Sequence, residues 1–338
     1  MAGKRGGRRK SSHDGGVLER LSKGVVLGDG GYLLELEKRG YVQPGPFTPE
    51  VVLEHPAAVR ELHQEFLDAG AEVLQALAFY ASKEKLATTG YADRVGDINR
   101  AAVRLAREVG GDKVLVAANL SLTWMYDPKD KSSADRVRRL FDEQLEAQLR
   151  EGPDFVIAET FSWLGEALLA TERIEKQTDL PAMVTMSFDK NPMSYDGHAP
   201  ADCARALHDA GADIVGVNCL RNPMLMLPIA REMRQAVPGP VAMQPTAYRT
   251  PPDVPDFTAT KEFPYETETL VLSRRAMGAY AAEANGMGVN YLGSCCGSMP
   301  IHVREMARAL GKAPPDRSWR VDYGKPMSAY EFYKHGPE

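Results

Sequence analysis

Short apolar runs alternate along the chain with longer segments whose apolar residues recur at helical spacing. Runs such as VLVAANL and PAMVTM are continuously apolar, which is typical of strands that are buried on both faces. The pattern predicts strands over residues 25–30, 73–77, 114–120, 155–160, 182–188, 214–219, 241–246 and 291–296. It predicts helices over residues 57–69, 95–109, 133–150, 164–177, 200–210, 223–236, 270–285 and 301–310.

Eight strands that are each followed by a helix favour an α/β fold of the (β/α)8 TIM-barrel type, built as a single domain. A doubly wound open sheet is the competing architecture. No G-x-G-x-x-G sequence follows the first predicted strand, which weakens the nucleotide-binding form of that competitor. We therefore expect a barrel over residues 17–311, a short basic arm over residues 1–16, and a short C-terminal extension over residues 312–338 that is a candidate for subunit contacts.

The composition fits a globular protein and argues against several other classes. Of the 338 residues, 43% are hydrophobic and 26% are charged, and no apolar run approaches the ~18–20 residues that span a bilayer. The net charge of −5 argues against a dedicated nucleic-acid binder, so neither a membrane nor nucleic acid is expected as a partner. The basic residues of the arm stand among Gly and Ser without the apolar core of a secretory signal. This favours a solvated flexible arm over a nucleic-acid contact.

The chain has only four cysteines, Cys203, Cys219, Cys295 and Cys296. They are too few and too clustered for a secreted protein held together by disulfides. We therefore expect free thiols or metal ligands in a reducing, cytoplasmic compartment. Cys203 falls among Ala, Arg and Leu in a predicted helix and is interpreted as a small core residue.

Polar residues collect where the predicted strands end, and in a barrel these ends converge on the face that carries the active site. Cys219 ends the sixth predicted strand, and Cys295 and Cys296 end the eighth. Any one of them alone is readily explained as an inert buried thiol. Three thiolates at ~2.3 Å, however, leave the fourth tetrahedral position of Zn2+ open, as in catalytic zinc sites. The polar residues at the strand ends are Asp29, Asn119, Glu159, Asn218, Cys219, Gln244, Cys295 and Cys296.

Several motifs resemble one enzyme family. GVNC (residues 216–219) and GSCCG (residues 293–297) resemble the zinc-binding signature of homocysteine S-methyltransferases. GDGGYLLELEKRGYV (residues 28–42), FYASKEKL (residues 79–86) and QPTAYRTP (residues 244–251) are similar to its betaine–homocysteine branch. The resemblance implies a zinc-dependent enzyme that transfers a methyl group from a quaternary ammonium or sulfonium donor to the sulfur of homocysteine, giving methionine.

The resemblance also implies roles on the homocysteine side of the site. Asp29 and Glu159 match residues that hold the homocysteine amino group, and they are the predicted catalytic carboxylates. Gly30 and Gly31 offer backbone N–H groups to the homocysteine carboxylate. Without the resemblance, Asp29 is explained as a turn residue and Glu159 as an exposed acid at a strand end.

On the donor side the resemblance points to aromatic residues, because a trimethylammonium group has no hydrogen to donate and is held by aromatic faces. Phe47, Phe79 and Tyr80 match these positions, and Tyr80 also supplies a hydroxyl for the donor carboxylate; core packing is the alternative for Phe79. Three residues depart from vertebrate members: Phe47 replaces Trp, Thr160 replaces Tyr, and Ser294 replaces Gly. Because the indole N–H is lost at Phe47, glycine betaine, dimethylsulfoniopropionate and S-methylmethionine all stay open as donors.

Two further expectations concern assembly and the alternative class. We expect a homo-oligomer, a dimer or larger. A tetramer is not assumed, because the chain beyond residue 310 is shorter than in vertebrate members, which use a long C-terminal arm for subunit contacts. A non-catalytic barrel that stores zinc or senses thiol oxidation is the alternative from another class. It accounts for the cysteines but not for Asp29, Glu159 and the aromatic set.

Overall fold

The computed structural model of the protein describes residues 15–314, in which strands alternate with helices as the sequence pattern predicts. The strands are β1 (Val26–Leu27), β2 (Val73–Gln75), β3 (Leu115–Ser121), β4 (Phe155–Phe161), β5 (Ala182–Met186), β6 (Ile214–Asn218), β7 (Val241–Gln244) and β8 (Tyr291–Leu292). The α-helices are α1 (Val17–Lys23), α2 (Leu33–Lys38), α3 (Val51–Glu54), α4 (Pro56–Ala69), α5 (Lys83–Leu86), α6 (Val95–Gly110), α7 (Lys131–Leu149), α8 (Leu164–Gln177), α9 (Pro200–Asp209), α10 (Pro223–Ala236), α11 (Arg274–Gly286) and α12 (Pro300–Ala309). Short 3-10 helices cover Ala87–Thr89, Ala92–Arg94, Phe257–Ala259 and Thr267–Leu270.

The strands pair in parallel, in the order β1-β8-β7-β6-β5-β4-β3-β2, and form a nearly closed barrel. The two outer strands of this order, β1 and β2, meet at a seam without a regular ladder. There Leu27 O accepts a hydrogen bond from Glu72 N at 2.8 Å, and Glu72 Oε2 accepts one from Leu27 N at 2.9 Å. Asp29 Oδ2 accepts a third from Gln75 N at 2.7 Å. Side-chain carboxylates thus join the seam, and the predicted (β/α)8 fold is confirmed.

The barrel interior changes from apolar to polar along the strands β2 to β7. Alternate residues of a strand point to the same side, so Phe155, Ile157 and Glu159 of β4 share one face. Phe155 and Ile157 belong to an apolar cluster that also includes Val17 and Leu21 of α1, whereas Glu159 lies at the carboxyl end of the strand. The same two-residue step leads from apolar residues of that cluster to Gln75, Asn119, Thr185 and Gln244 on other strands, and two such steps lead from Ile214 to Asn218.

The two shortest strands differ most from the prediction. β1 and β8 contain two residues each, whereas the sequence pattern extends these strands to residues 30 and 296. Both strands run directly into glycine-containing loops. A Cβ on Gly31 would lie only 2.6 Å from Cys295 O, so the backbones of the loops after β1 and β8 are in contact here. A residue larger than glycine at position 31 would prevent this contact. The chain therefore leaves the ladder early and builds the mouth of the barrel.

The boundaries of the predicted helices agree with the pattern to within two residues, with one exception. The helix predicted over residues 270–285 begins at Arg274, because Ser273 Oγ accepts a hydrogen bond from Ala276 N at 3.2 Å. Leu270 belongs instead to a short 3-10 helix. The helices α2 and α3 are additional elements in the long connection from β1 to β2.

Little of the two predicted terminal segments is described. The predicted arm, residues 1–16, and the predicted extension, residues 312–338, lie outside the described residues except for 15–16 and 312–314, so these domain boundaries stay predictions. Within residues 15–314, none of the helices is long and apolar enough to cross a membrane.

Candidate active site

One cavity of about 530 Å³ opens at the carboxyl end of the barrel and gathers the predicted site residues. Because the strands are parallel, residues from β2, β4, β6, β7 and β8 or the loops after them meet there. The predicted residues that line the cavity are Gly30, Gly31, Phe47, Phe79, Tyr80, Glu159, Cys219, Cys295 and Cys296. Asp29 is the predicted site residue that is not part of this lining.

The three cysteines form a compact cluster. Cys219 Sγ lies 3.7 Å from Cys296 Sγ, Cys295 Sγ lies 3.9 Å from Cys296 Sγ, and all three sulfurs lie within 4.8 Å of one another. Sulfurs that hold one ion tetrahedrally at ~2.3 Å lie about 3.8 Å apart. The spacing therefore fits a metal ion with one coordination position left for a substrate. Within residues 15–314 this is the one group of His, Cys, Asp or Glu side chains with such spacing.

The cluster also polarises its own thiols. The pKa of Cys219 is well below its usual range, because its sulfur interacts with the neighbouring thiols of Cys295 and Cys296. The pKa values of Cys295 and Cys296 are well above their usual range, because the interaction with Cys219 favours their protonated forms. Cys203 differs: it is buried in α9 among core residues, as predicted, and burial raises its pKa to about 12.

Backbone strain concentrates at this cavity. Every described non-glycine residue with a positive φ angle lines it, and these φ angles lie between 50° and 66°. Such conformations cost of order 1–3 kcal/mol each and persist where the surrounding structure enforces them, often at functional sites. Cys219, with a φ of 57°, follows β6 directly, so the left-handed turn sets the direction of its side chain. The six non-glycine residues with positive φ angles are Phe47, Tyr80, Trp124, Thr160, Cys219 and Leu220.

Glu159 is the one carboxylate that lines the cavity, and three amide groups hold it. Its Oε1 accepts hydrogen bonds from Gln75 Nε2 at 2.5 Å and Asn119 Nδ2 at 2.8 Å. Its Oε2 accepts a bond from Asn218 Nδ2 at 3.0 Å. Burial raises the pKa of Glu159 to about 7, although the hydrogen bond from Asn119 opposes this. The site therefore presents a fixed, desolvated carboxylate whose negative charge a bound cation stabilises.

Neighbouring strands brace this arrangement and leave an acceptor unused. Asn218 Oδ1 accepts hydrogen bonds from Thr160 N at 2.9 Å and from the Thr185 hydroxyl at 2.7 Å, which fixes its orientation. Gln244 lines the same cavity, and its Oε1 is buried without a hydrogen-bond partner among the described residues. A buried acceptor without a partner costs about 1–3 kcal/mol. This acceptor is therefore available to a donor group on a ligand.

Asp29 lies one layer behind the cavity wall. Its Oδ2 accepts hydrogen bonds from the Tyr32 hydroxyl at 2.5 Å and from Gln75 N at 2.7 Å, and both of these residues line the cavity. The Tyr32 hydroxyl also contacts His63 Nδ1 at 2.8 Å. Burial raises the pKa of Asp29 to about 7. In this arrangement Asp29 joins the seam and positions Gln75, and its direct contact with a substrate stays a prediction.

Aromatic residues also line the cavity. The rings of Phe79 and Tyr80 lie 4.2 Å apart, centroid to centroid, and Phe47 contacts Phe263 at 6.1 Å. The Tyr80 hydroxyl accepts a hydrogen bond from Trp124 Nε1 at 3.1 Å, and burial raises the pKa of Tyr80 to about 12. We call the cavity-lining rings of Phe47, Phe79, Tyr80, Trp124 and Phe263 the aromatic wall. Such rings attract a cation through their faces.

Sequence reasoning misses three residues of this site. Gln75 could have been found by stepping two residues along the strand from buried Val73, and Lys85 lies within the FYASKEKL motif. Trp124 follows β3 in a loop whose path the pattern of the strands does not define. All three missed residues, Gln75, Lys85 and Trp124, line the cavity.

Comparisons with known proteins agree with this geometry. A family model described as homocysteine S-methyltransferase matches residues 26–310. Betaine–homocysteine S-methyltransferase 1 of Mus musculus is 40% identical over 331 residues, which cover 93% of this chain and 80% of that relative. S-methylmethionine–homocysteine S-methyltransferase BHMT2 of Pongo abelii is 38% identical over 327 residues, which cover 93% of this chain and 88% of that relative. The metallated homocysteine methyltransferase MmuM from Escherichia coli shares the fold, with a TM-score of 0.68 at 18% identity over 83% of this chain and 95% of its own.

Proposed function

The chain belongs to the homocysteine S-methyltransferase family and is an enzyme that methylates homocysteine, and we propose that its donor is a betaine-type quaternary ammonium compound and its metal is zinc. One observation carries this proposal. The cysteine cluster, the amide-held Glu159 and the aromatic wall all line a single cavity of about 530 Å³. A thiol substrate, its ammonium group and a methylated cation can thus be bound side by side.

The donor set of the metal site supports zinc. Cys219, Cys295 and Cys296 offer sulfur ligands only, and zinc accepts thiolates at ~2.3 Å in tetrahedral geometry. The sulfur–sulfur distances of 3.7 and 3.9 Å agree with that geometry. When bound, such an ion lowers the pKa of a ligating substrate thiol and so makes its sulfur nucleophilic at neutral pH.

The residues around the cluster orient homocysteine. Glu159 binds the ammonium group, and the unused Gln244 Oε1 accepts a second hydrogen bond from it. Gly30 and Gly31 line the cavity just before α2, where their backbone N–H groups serve the substrate carboxylate. A Cβ on Gly30 would lie 2.6 Å from Phe66, so the packing behind the cavity requires glycine at this position.

The reaction requires binding and alignment more than proton transfer. The homocysteine sulfur attacks the methyl carbon, an S–C bond forms, and the C–N bond breaks with its electron pair kept by nitrogen. The leaving amine is therefore neutral and needs no proton from the enzyme. Phe47, Phe79 and Tyr80 hold the onium group through their ring faces and exclude water from the reacting atoms.

A sulfonium donor is the second candidate, and specific observations favour it. One relative at 38% identity is named for S-methylmethionine as donor. Phe47 retains a π face for any onium group but offers no N–H to a donor carboxylate. In that case the same sulfur attack breaks a C–S bond, and a neutral thioether leaves.

The test is a donor screen with zinc-loaded protein and homocysteine, read out as methionine formed. We expect glycine betaine to give methionine and dimethylglycine in equal amounts, with little product from dimethylsulfoniopropionate or S-methylmethionine. Product from the sulfonium donors alone contradicts the betaine assignment but retains the enzyme class. No methionine from any donor by fully metal-loaded protein contradicts methyl transfer itself and favours a zinc-storing or redox-sensing barrel.

The proposal extends to assembly in one respect. We infer that the enzyme works as a homo-oligomer, a dimer or larger. Light scattering of the full chain decides this point, and a monomer at assay concentration contradicts it.

A further inference from the structure

We propose that Lys85 is the residue that binds the donor carboxylate, so that the enzyme selects methyl donors in which an onium group and a carboxylate belong to one molecule. The inference rests on the proposed function, since it concerns the donor side of the same cavity. It departs from the expectation that Tyr80 supplies the main contact to the donor carboxylate.

The ammonium group of Lys85 lies among aromatic faces inside the cavity. Lys85 Nζ is 4.4 Å from the centroid of the Tyr80 ring and 5.2 Å from that of the Trp124 ring. Both rings are set by left-handed backbone conformations, with φ angles of 61° at Tyr80 and 62° at Trp124. Tyr80 N donates to Ser121 Oγ at 2.9 Å, which fixes the strained turn. The position of the ammonium group is therefore built into the fold.

Lys85 has no anionic partner within the described part of the chain. No carboxylate of residues 15–314 lies within 4.0 Å of its ammonium group. Glu166 is the carboxylate that acts on it electrostatically, but Glu166 Oε1 accepts hydrogen bonds from Thr123 N at 2.8 Å and from the Thr123 hydroxyl at 2.5 Å. The one cation of the cavity lining is thus left without a counter-ion, which a ligand can supply.

The charges of the cavity are placed at two separate sites. Glu159 is the one acidic side chain of the lining, and it accepts a hydrogen bond from Asn218, the residue directly before Cys219. Lys85 is the one basic side chain and lies beside Trp124, which is 50% exposed at the mouth. An amino acid with a thiol can pair its ammonium group with Glu159. A zwitterionic donor whose carboxylate points outward can pair that carboxylate with Lys85.

The same arrangement rejects donors that lack a carboxylate. An onium group alone shares the rings of Tyr80 and Trp124 with a second positive charge, and this repulsion disfavours its binding. When a carboxylate binds Lys85, it separates the two cations and leaves the onium group on the cysteine side of Tyr80. Tyr80 lines the same cavity as the cysteine cluster.

The test compares two donors that differ only in the carboxylate, glycine betaine and its primary amide, each with homocysteine. We expect Lys85→Met to lower kcat/KM for glycine betaine by about 10- to 100-fold, the range of a hydrogen bond to a charged group, while the value for the amide stays the same or rises. Lys85→Arg should keep most of the preference for the carboxylate. Lys83→Met is the matched control, because Lys83 is an exposed lysine of the same helix outside the cavity lining, and it should leave both values unchanged.

Two outcomes overturn the inference. An equal loss for both donors means that Lys85 shapes the aromatic wall and does not bind the carboxylate. Unchanged values for both donors mean that it does neither. If wild type methylates homocysteine with neither compound, the betaine proposal fails separately. The inference is then tested by the affinity of wild type and Lys85→Met for dimethylsulfoniopropionate and its methyl ester, measured by calorimetry, with the same expected contrast.

Discussion

The two ends of the barrel are built from the same strands but from opposite kinds of residue. At the amino end, Phe155 and Ile157 pack with Val17 and Leu21 of α1 in a closed apolar layer. At the carboxyl end of the same strand, Glu159 is buried as a carboxylate that burial makes costly to ionise. A single β-strand therefore contributes stability at one end and a reactive environment at the other, and the change takes one step of two residues.

The backbone follows the same division. Within the described residues, left-handed φ angles outside glycine occur only in residues that line the cavity, and Gln244 carries a buried acceptor there without a partner. These features cost free energy in the folded state, and a substrate or metal recovers part of it on binding. Substitutions at the amino end should therefore change stability and leave function intact, whereas substitutions at the carboxyl end should do the reverse.

The largest effect on function is expected from the cysteine cluster. Cys296→Ala should remove the metal and reduce methionine formation by more than the ~10–100-fold that loss of a residue supporting a metal ligand costs. Metal analysis and a methionine assay on the same preparation check this. The control is Cys203→Ala in α9, which should keep both the metal content and the rate of methionine formation. Full metal occupancy in Cys296→Ala contradicts the three-sulfur site.

The largest effect on stability is expected at the other end of β4. Ile157→Ala should lower the free energy of unfolding by about 2–4 kcal/mol, because it leaves a cavity in the apolar layer. The KM for homocysteine should stay within twofold of wild type. Urea denaturation and steady-state kinetics on the same protein measure the two quantities. A large rise in KM with little loss of stability breaks the comparison between the two ends.

Two residues further along the strand, Glu159→Gln should give the opposite result. Loss of the charged partner of the homocysteine ammonium group should raise KM for homocysteine by about 10- to 100-fold and leave KM for the donor nearly unchanged. Unfolding free energy at pH 8 should fall by less than about 1 kcal/mol, because burial of the ionised carboxylate is itself unfavourable. A change confined to KM for the donor would mean that Glu159 belongs to the donor half of the site and contradicts its assignment to homocysteine.

The raised pKa of Glu159 also predicts a pH dependence. Methionine carries the ammonium group of homocysteine without the thiol, so its binding reports the carboxylate alone. With a pKa of about 7, the ionised fraction of Glu159 rises from pH 6 to pH 8, and affinity for methionine should increase by roughly tenfold over that window. Calorimetry at the two pH values measures this.

The variant Glu159→Gln should abolish the pH dependence of methionine binding. If the pH dependence persists in Glu159→Gln but disappears in Asp29→Asn, the titrating group is Asp29, whose pKa burial also raises to about 7. Affinity that falls as pH rises has the wrong sign for either carboxylate.

The smallest predicted effect concerns donor choice at Phe47. Phe47→Trp adds an indole N–H to the aromatic wall and should shift relative kcat/KM toward glycine betaine and away from sulfonium donors by ~1 kcal/mol, about one hydrogen bond. A panel of betaines and sulfoniums, assayed on wild type and the variant, measures the shift. Unchanged ratios mean that Phe47 does not control the choice of donor.

The barrel was predictable because its strands are continuously apolar, and the cysteine cluster because its residues sit directly at strand ends. Glu159 follows from the two-residue step along β4. The seam was not predictable, because the contact of Asp29 with Gln75 N depends on where β1 and β2 stop pairing. Lys85 and Trp124 meet through loops after β2 and β3, and no periodic pattern encodes the paths of those loops.

X-ray absorption at the zinc K edge tests the central claim most directly, because it counts the sulfur atoms around the metal in the intact protein. We predict three sulfur neighbours at ~2.3 Å, from Cys219, Cys295 and Cys296, and a fourth when homocysteine is added. Two or fewer sulfur neighbours in the protein alone contradict the claim. So does a count that stays at three with saturating homocysteine.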